Sequence, residues 1–465
     1  MNPDLYELSR RLFLGQSLGG LGALAMTHLL GEQSANAADK SVRPTARANA
    51  VISLFQHGGP SQVDMFDPKP MLNRLHGKTY RGDLKFRNTN SAKRILGSPF
   101  KFAKHGHCGI ELSELLPHTA AIVDDMTLIR SMVTKASDHS AAIRLMNTGQ
   151  FLPGSPAVGS WVVYGMGAET QSLPAYVALV QNYYPTDGVG NWSSGWLPAE
   201  YQGTPFRSGS VPVQYLKTPR RFTTQARTGQ LDFLNQLNRM YQIRHPENGE
   251  LQARIKDFET AARMQLAVPE VLDFSDETQE IQKMYGLDSP NAKTRDYAKR
   301  CLLARRLIER GVRFVQICHG SQPWDTHNKN VSRLKDLCQM TDQPSAALVK
   351  DLKQRGLLDE TVVLWGGEFG REPISEGADG RDHNPRGFSV WVAGGGFKSG
   401  YVHGETDEIG YQAVSNIVSV HNYHATLLHS LGINHRKLIA PHEGRQVSLV
   451  DSPVTGADYI PELLS

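Results

Sequence analysis

Apolar positions recur in two rhythms along this chain. Short unbroken runs, rich in Val, Ile, Leu and Trp, alternate with longer stretches where apolar residues return every three or four positions. The runs cover residues 50–56, 126–131, 175–180, 312–317, 361–365 and 388–393. Unbroken runs of this length predict strands buried on both faces of a parallel sheet. The helical rhythm covers 112–123, 159–167, about 332–354 and about 420–431, and also the stretch from Ser137 to Gly149. Between 227 and 310 it dominates: Leu231, Leu234, Leu237 and Tyr241, then Leu251, Ile255, Phe258 and Ala262, return at helical spacing. That stripe is expected to be ordinary core packing. Strand–helix alternation on either side of a helical block predicts an α/β fold: a doubly wound, mostly parallel sheet with an α-helical insertion at 227–310. Residues 66–110 and 182–220 are rich in turn formers and read as loops.

The first residues follow a different logic. Ser9-Arg10-Arg11-Leu12-Phe13-Leu14 has the form of a twin-arginine export signal. A mildly apolar, glycine-containing stretch follows over 15–30, and Ala35-Asn36-Ala37 offers a small-residue cleavage site. Residues 1–37 are therefore expected to be a signal peptide, with retention as an uncleaved anchor the alternative. The mature chain, 38–465, holds no stretch apolar enough to span a membrane. A periplasmic or secreted protein, exported already folded, is the expectation.

Composition narrows the partners. With 50 Lys and Arg against 46 Asp and Glu, charge is nearly balanced. No basic stripe with interleaved aromatics occurs, so nucleic acid is not an expected partner. Cys108, Cys301, Cys318 and Cys338 are far apart and form no Cys-x-x-Cys pair. Buried free thiols are the preferred reading over a disulfide framework.

The candidate chemistry sits at strand ends. Trp324-Asp325-Thr326-His327-Asn328 follows the 312–317 run, Gly366-Gly367-Glu368-Phe369-Gly370-Arg371 follows 361–365, and Arg381-Asp382-His383-Asn384 precedes 388–393. In open α/β sheets, ligands bind beyond the carboxyl ends of the strands. Asp325, His327, Glu368 and His383 are thus candidate ligands of a divalent metal: Zn, Mn, Fe or Ca. His57, at the end of the first run, and Asp64 are further candidates. Asp67 before Pro68 reads as a turn former. Arg371 and Arg381 flank the ligands, and a guanidinium fork suits phosphate, sulfate or carboxylate. Ser137-Asp138-His139-Ser140 opens a helix, where free N–H groups favour an anion. His139, Ser140 or Ser137 is a nucleophile candidate there, with capping by Ser137 or Asp138 the competing role. Gly394-Gly395-Gly396 reads as a tight turn, and His421 and His424 as near-surface residues at a helix start.

His57-Gly58-Gly59-Pro60-Ser61-Gln62-Val63-Asp64-Met65-Phe66-Asp67-Pro68-Lys69-Pro70 resembles the opening motif of an exported bacterial family, the domain of unknown function 1501. Trp324-Asp325-Thr326-His327, Gly367-Glu368-Phe369-Gly370-Arg371, Gly380-Arg381-Asp382-His383-Asn384 and the glycines from Gly394 to Gly404 with Thr406-Asp407 resemble its later motifs. That family is similar to the alkaline phosphatase and sulfatase superfamily, whose members hydrolyse phosphate or sulfate esters at a two-metal centre. The resemblance implies an alkaline phosphatase-like fold, with Asp325, His327 and His383 on one metal. Glu368 stands where a second metal's Asp would be, but Phe369 replaces the companion His, so that metal would need His57 or Asp64. No Cys-x-Pro-x-Arg occurs, which argues against a formylglycine sulfatase. The implied function is an exported metal-dependent hydrolase of an anionic small-molecule or polysaccharide ester. The alternative is a non-catalytic binding or scaffold protein of the cell envelope on the same fold.

Overall fold

The computed structural model describes residues 46–80, 94–170, 172–181, 183–209, 212–213, 224–244, 264 and 267–465. The expected export signal, and Leu251, Ile255, Phe258 and Ala262 of the helical stripe, lie outside the described residues.

The six apolar runs form strands of one sheet, and three shorter segments join them: β1 (Ala50–Phe55), β2 (Met126–Val133), β3 (Tyr176–Val180), β4 (Thr204–Arg207), β5 (Phe314–Cys318), β6 (Thr361–Gly366), β7 (Phe388–Ala393), β8 (Tyr401–His403) and β9 (Val418–Ser419). Their order is β8-β2-β7-β6-β1-β5-β3-β4, with β9 also on β2. β7 runs antiparallel to β2 and β6, and the other pairs in this sheet are parallel. The main helices are α1 (His139–Thr148), α2 (Val158–Met166), α3 (Thr224–Arg244), α4 (Ala292–Ile308), α5 (Asn330–Gln354) and α6 (Val420–Ser430).

Side chains alternate across a strand, so each buried run feeds two cores. Ile52 and Leu54 of β1, Val315 and Ile317 of β5, and Val363 and Trp365 of β6 pack with residues of α4 and α5. Val51, Phe55, Phe314, Val362 and Leu364 pack on the other side with α1, α2 and α6. Helices on both faces leave no polar side to the central strands, which is why they read as continuous apolar runs rather than alternating ones. The fold is an α/β sheet, mostly parallel, as expected.

Three local expectations fail for identifiable reasons. Residues 112–123 are not a helix: Ile110–Ser113 is a strand paired with Phe102–His105, and Thr119–Asp125 is a 3₁₀ turn. Pro117 interrupts what would be the helix interior, removing a hydrogen bond and clashing with the preceding turn. β4 forms inside the stretch read as loop, because its pairing with β3, not its composition, makes it a strand. Helix α3 forms, but Leu234, Leu237 and Tyr241 are 44%, 44% and 53% exposed, so these members of its stripe are not core residues.

Candidate metal centre

The carboxyl ends of β1, β2, β5 and β6 point to one edge of the sheet. Because β7 runs the other way, its beginning lies at that same edge, and the residues before it arrive there too. Five segments thus converge from sequence-distant strands: His57 onward, Ser137–His139, Trp324–His327, Gly367–Arg371 and Arg381–Asn384. Two glycines permit the crowding. A Cβ at Gly58, whose φ is 113°, would strike the Asp325 and Trp324 backbone, and one at Gly380 would strike the carbonyl of His327.

At the focus are His139, Asp325, His327 and His383, whose donor atoms all lie within 4.8 Å of one another. The Nε2 atoms of His139, His327 and His383 stand 3.2, 2.9 and 3.2 Å from Asp325 Oδ1. His327 Nε2 lies 2.9 Å from His383 Nε2. Each ring is held from behind. His383 Nδ1 donates to the Ser137 carbonyl at 2.8 Å, and His139 Nδ1 donates to Glu368 Oε1 at 2.7 Å. His327 Nδ1 donates to Glu376. A proton on each Nδ1 leaves the Nε2 lone pairs facing the focus, the arrangement that outer partners impose on metal-binding imidazoles. His139 Nε2 is buried without a hydrogen-bond partner. Three imidazole lone pairs and a carboxylate oxygen so close together draw positive charge to the focus, and the Arg371 guanidinium, 2.6 Å from Asp325 Oδ1, already supplies part of it from one side. Tetrahedral ligands about 2.0–2.1 Å from zinc stand roughly 3.3 Å apart, close to the spacing here. The donor set fits a divalent ion.

Electrostatics agree. Burial pushes the Asp325 carboxyl up, but the three imidazoles and the Arg371 charge outweigh it and hold it far below the usual range. Burial pulls His139 down, and its contacts with Asp325 and Glu368 more than reverse that, raising it. His327 is raised by Asp325 first, with Glu376 adding. His383 is lowered by burial.

The remaining sequence candidates occupy other places. Glu368 is fully buried and accepts from Gly58 N at 2.9 and 3.1 Å as well as from His139, so it backs a ligand rather than pointing at the focus. Arg371 is buried too. Its donors go to the carbonyls of Gly59, Arg381, Gly58 and Trp324 and, at 2.6 Å, to Asp325 Oδ1. Arg381 and Asp64 form a buried bidentate pair at 2.8 and 3.0 Å, and Asp64 also accepts from Ser61 and Asn330. Both arginines are thus committed inside the protein, not presented to an external anion, and Asp64 is an ion-pair partner away from the four-ligand cluster. His57 is fully buried edge-on to Phe55, its imidazole pushed down to about 4 by burial. Among the described residues neither His57, Asp64 nor Glu368 belongs to a ligand cluster. Asp138, not Ser137, caps α1, accepting from Ala141 N at 2.9 Å. Ser140 follows His139 in the first turn, half-buried. Glu376 was not among the sequence candidates. It sits in the glycine-containing turn that joins the Arg371 and His383 segments, and only that turn's fold-back brings it to His327.

These features define an α/β protein with a candidate metal centre at the carboxyl edge of its sheet. A family model described as "Protein of unknown function (DUF1501)" matches residues 48–464, and the chain belongs to that family. No curated protein matches it. Solved structures with a similar course include the lipoteichoic acid synthase LtaP from Listeria monocytogenes, 9% identical, with a TM-score of 0.34, covering 89% of this chain and 77% of that one. The PsFucS1 sulfatase from Pseudoalteromonas sp. is 12% identical, with a TM-score of 0.34 and coverages of 84% and 68%. The phosphonate monoester hydrolase of Agrobacterium radiobacter is 13% identical, with a TM-score of 0.32 and coverages of 90% and 77%. Likenesses at this level say nothing about activity. Among the described residues no helix is long and apolar enough to cross a membrane.

Proposed function

We propose that the protein is an exported metal-dependent hydrolase acting on a phosphate or sulfate ester, with one divalent ion held by His139, Asp325, His327 and His383. The observation that carries this reading is the convergence of three Nε2 atoms on Asp325 Oδ1, each ring fixed through Nδ1. When bound, such an ion would supply Lewis acidity, polarising an ester oxygen or making a water more acidic. The chain's own part is preorganisation. Glu368, Glu376 and the Ser137 carbonyl set the three tautomers, and Arg371 steers Asp325. Ser140, in the first turn of α1, has the helix dipole to favour an approaching anion. The anion to be held belongs to a small-molecule or polysaccharide ester.

One observation favours a second reading, a cell-envelope binding or scaffold protein. Four protein ligands make a closed set, more typical of structural than of catalytic zinc sites, and neither arginine is turned to an external anion. The deciding experiment is elemental analysis of the mature protein, purified without chelator, beside assays on aryl phosphates and aryl sulfates. About one ion per chain, lost with ester hydrolysis in His383→Ala, is the expected result. A metal-loaded but inert protein favours the scaffold. A fully folded, inert protein with no ion, and His383→Ala indistinguishable from it, defeats the metal-dependent hydrolase and leaves the scaffold reading.

A further inference from the structure

A cavity lies apart from the metal centre, beyond the carboxyl ends of β3 and β4 and beside α4. Its volume is about 340 Å³, within the range of small-ligand pockets. Its apolar wall includes Leu179, Phe206, Leu272 and Leu303. Its polar lining, among the described residues, includes Arg207, Ser208, Lys299, Arg300 and one acid, Asp296. Three cations against one carboxylate leave a positive excess.

The polar groups are not all matched. Arg300 is 4% exposed; its NH1 donates to the Cys318 carbonyl at 2.7 Å and its NH2 to Asp296 at 3.1 Å. Its Nε is buried with no hydrogen-bond partner, and so is the hydroxyl of Ser208. A buried donor without an acceptor costs about 1–3 kcal/mol, so two on neighbouring residues of one cavity wall are unusual in a finished core. Asp296 Oδ2 accepts from Gln181 and from Arg300 NH2, but no bond from it reaches Arg300 Nε or the Ser208 hydroxyl. The missing partner is an acceptor, and the positive excess asks for a charged one.

We infer that this cavity is a binding site for a monocarboxylate with an apolar body, its carboxylate among Arg300, Ser208 and Lys299 and its chain against Phe206, Leu272 and Leu303. Such a ligand fits both halves of the lining: acceptor oxygens for the unmatched donors, and apolar surface for the wall. The site is independent of the metal centre, so it stands or falls separately from the ester hydrolase reading.

The test is calorimetric titration of the full mature protein with dodecanoate in the presence of a chelator, which keeps the carboxylate from binding a metal instead. One dodecanoate per chain is expected, at least tenfold tighter than dodecanol or dodecyltrimethylammonium. Lys299→Glu changes an exposed charge, and Leu272→Trp fills a half-buried wall. Each is expected to weaken binding at least tenfold without moving the melting temperature. Ser208→Ala supplies a gentler third variant should Leu272→Trp unfold. Absence of binding, equal binding of all three dodecyl compounds, or indifference to Lys299→Glu and Ser208→Ala would overturn the assignment.

Discussion

The roles of His139 and Glu368 can be told apart in a paired experiment. If His139 is a ligand and Glu368 its support, His139→Ala removes a donor atom, whereas Glu368→Gln disturbs only the donor's orientation. Glutamine keeps the shape. However, its amide nitrogen, placed at Oε2, would face the Gly58 N–H that this oxygen accepts at 3.1 Å. Turned the other way, it would face His139 Nδ1, now 2.7 Å from Oε1. The ring would then have to turn or adopt its other tautomer, protonated on Nε2 and unable to ligate. Loss of such an outer partner typically lowers metal affinity about 10–100-fold, or about 1.4–2.7 kcal/mol. Competition against a chromogenic zinc chelator measures the affinity, and elemental analysis the stoichiometry. Glu368→Gln is expected to bind one ion with affinity reduced within that range. His139→Ala is expected to lose the ion under the same conditions. Full occupancy in His139→Ala together with an empty Glu368→Gln would refute the reasoning and make Glu368 the ligand.

Two other perturbations probe the frame around the site. Asp64→Ala leaves Arg381 as an uncompensated buried charge, since both partners have fully buried side chains. Urea unfolding is expected to show a loss of about 3–5 kcal/mol, and a loss below about 1 kcal/mol would contradict a buried pair. His424 governs acid stability: its Nε2 donates to the Met146 carbonyl at 2.9 Å, and burial pushes its imidazole down to about 3. Because the folded value lies below the unfolded one near 6.5, only the unfolded chain takes up this proton between the two. The contribution is fully present above about pH 6.5 and declines by about 1.4 kcal/mol per pH unit below it, toward pH 3. His424→Gln, which can still donate to Met146, is expected to flatten the profile of unfolding free energy between pH 6 and 4; an unchanged slope would remove His424 from the account.

The strands were legible in the sequence because burial on both faces demands an unbroken apolar run, which is a local property. So was the placement of Asp325, His327 and His383, each in a segment that follows or precedes such a run. Helix α1 announced itself through Asp138 and Gly149, the latter left-handed at φ 70° where the helix ends. The legible part thins out wherever a partner lies far along the chain. His424 looked like a surface residue at a helix start, yet α6 turns it against α1 and it is 2% exposed. Strand β4 exists only because β3 pairs with it. Cys301, Cys318 and Cys338 are buried free thiols, as hydrophobic surroundings predict, while Cys108 is an exposed one.

By itself, then, the amino-acid order determined the α/β class, the apolar ladder of strands and the pool of acids and histidines at their ends. Tertiary structure alone decided which members of that pool converge on one focus and which back them from behind. His139 and Glu368 are 229 residues apart, and which of them faces the focus depends on where helix and strand dock. Arg371 and Arg381 have the same chemistry anywhere, but once buried their donors must find acceptors, and the nearest were carbonyls and carboxylates of the protein. Residue type and period are properties of a segment; ligand geometry is a property of distances between segments, which no one segment encodes.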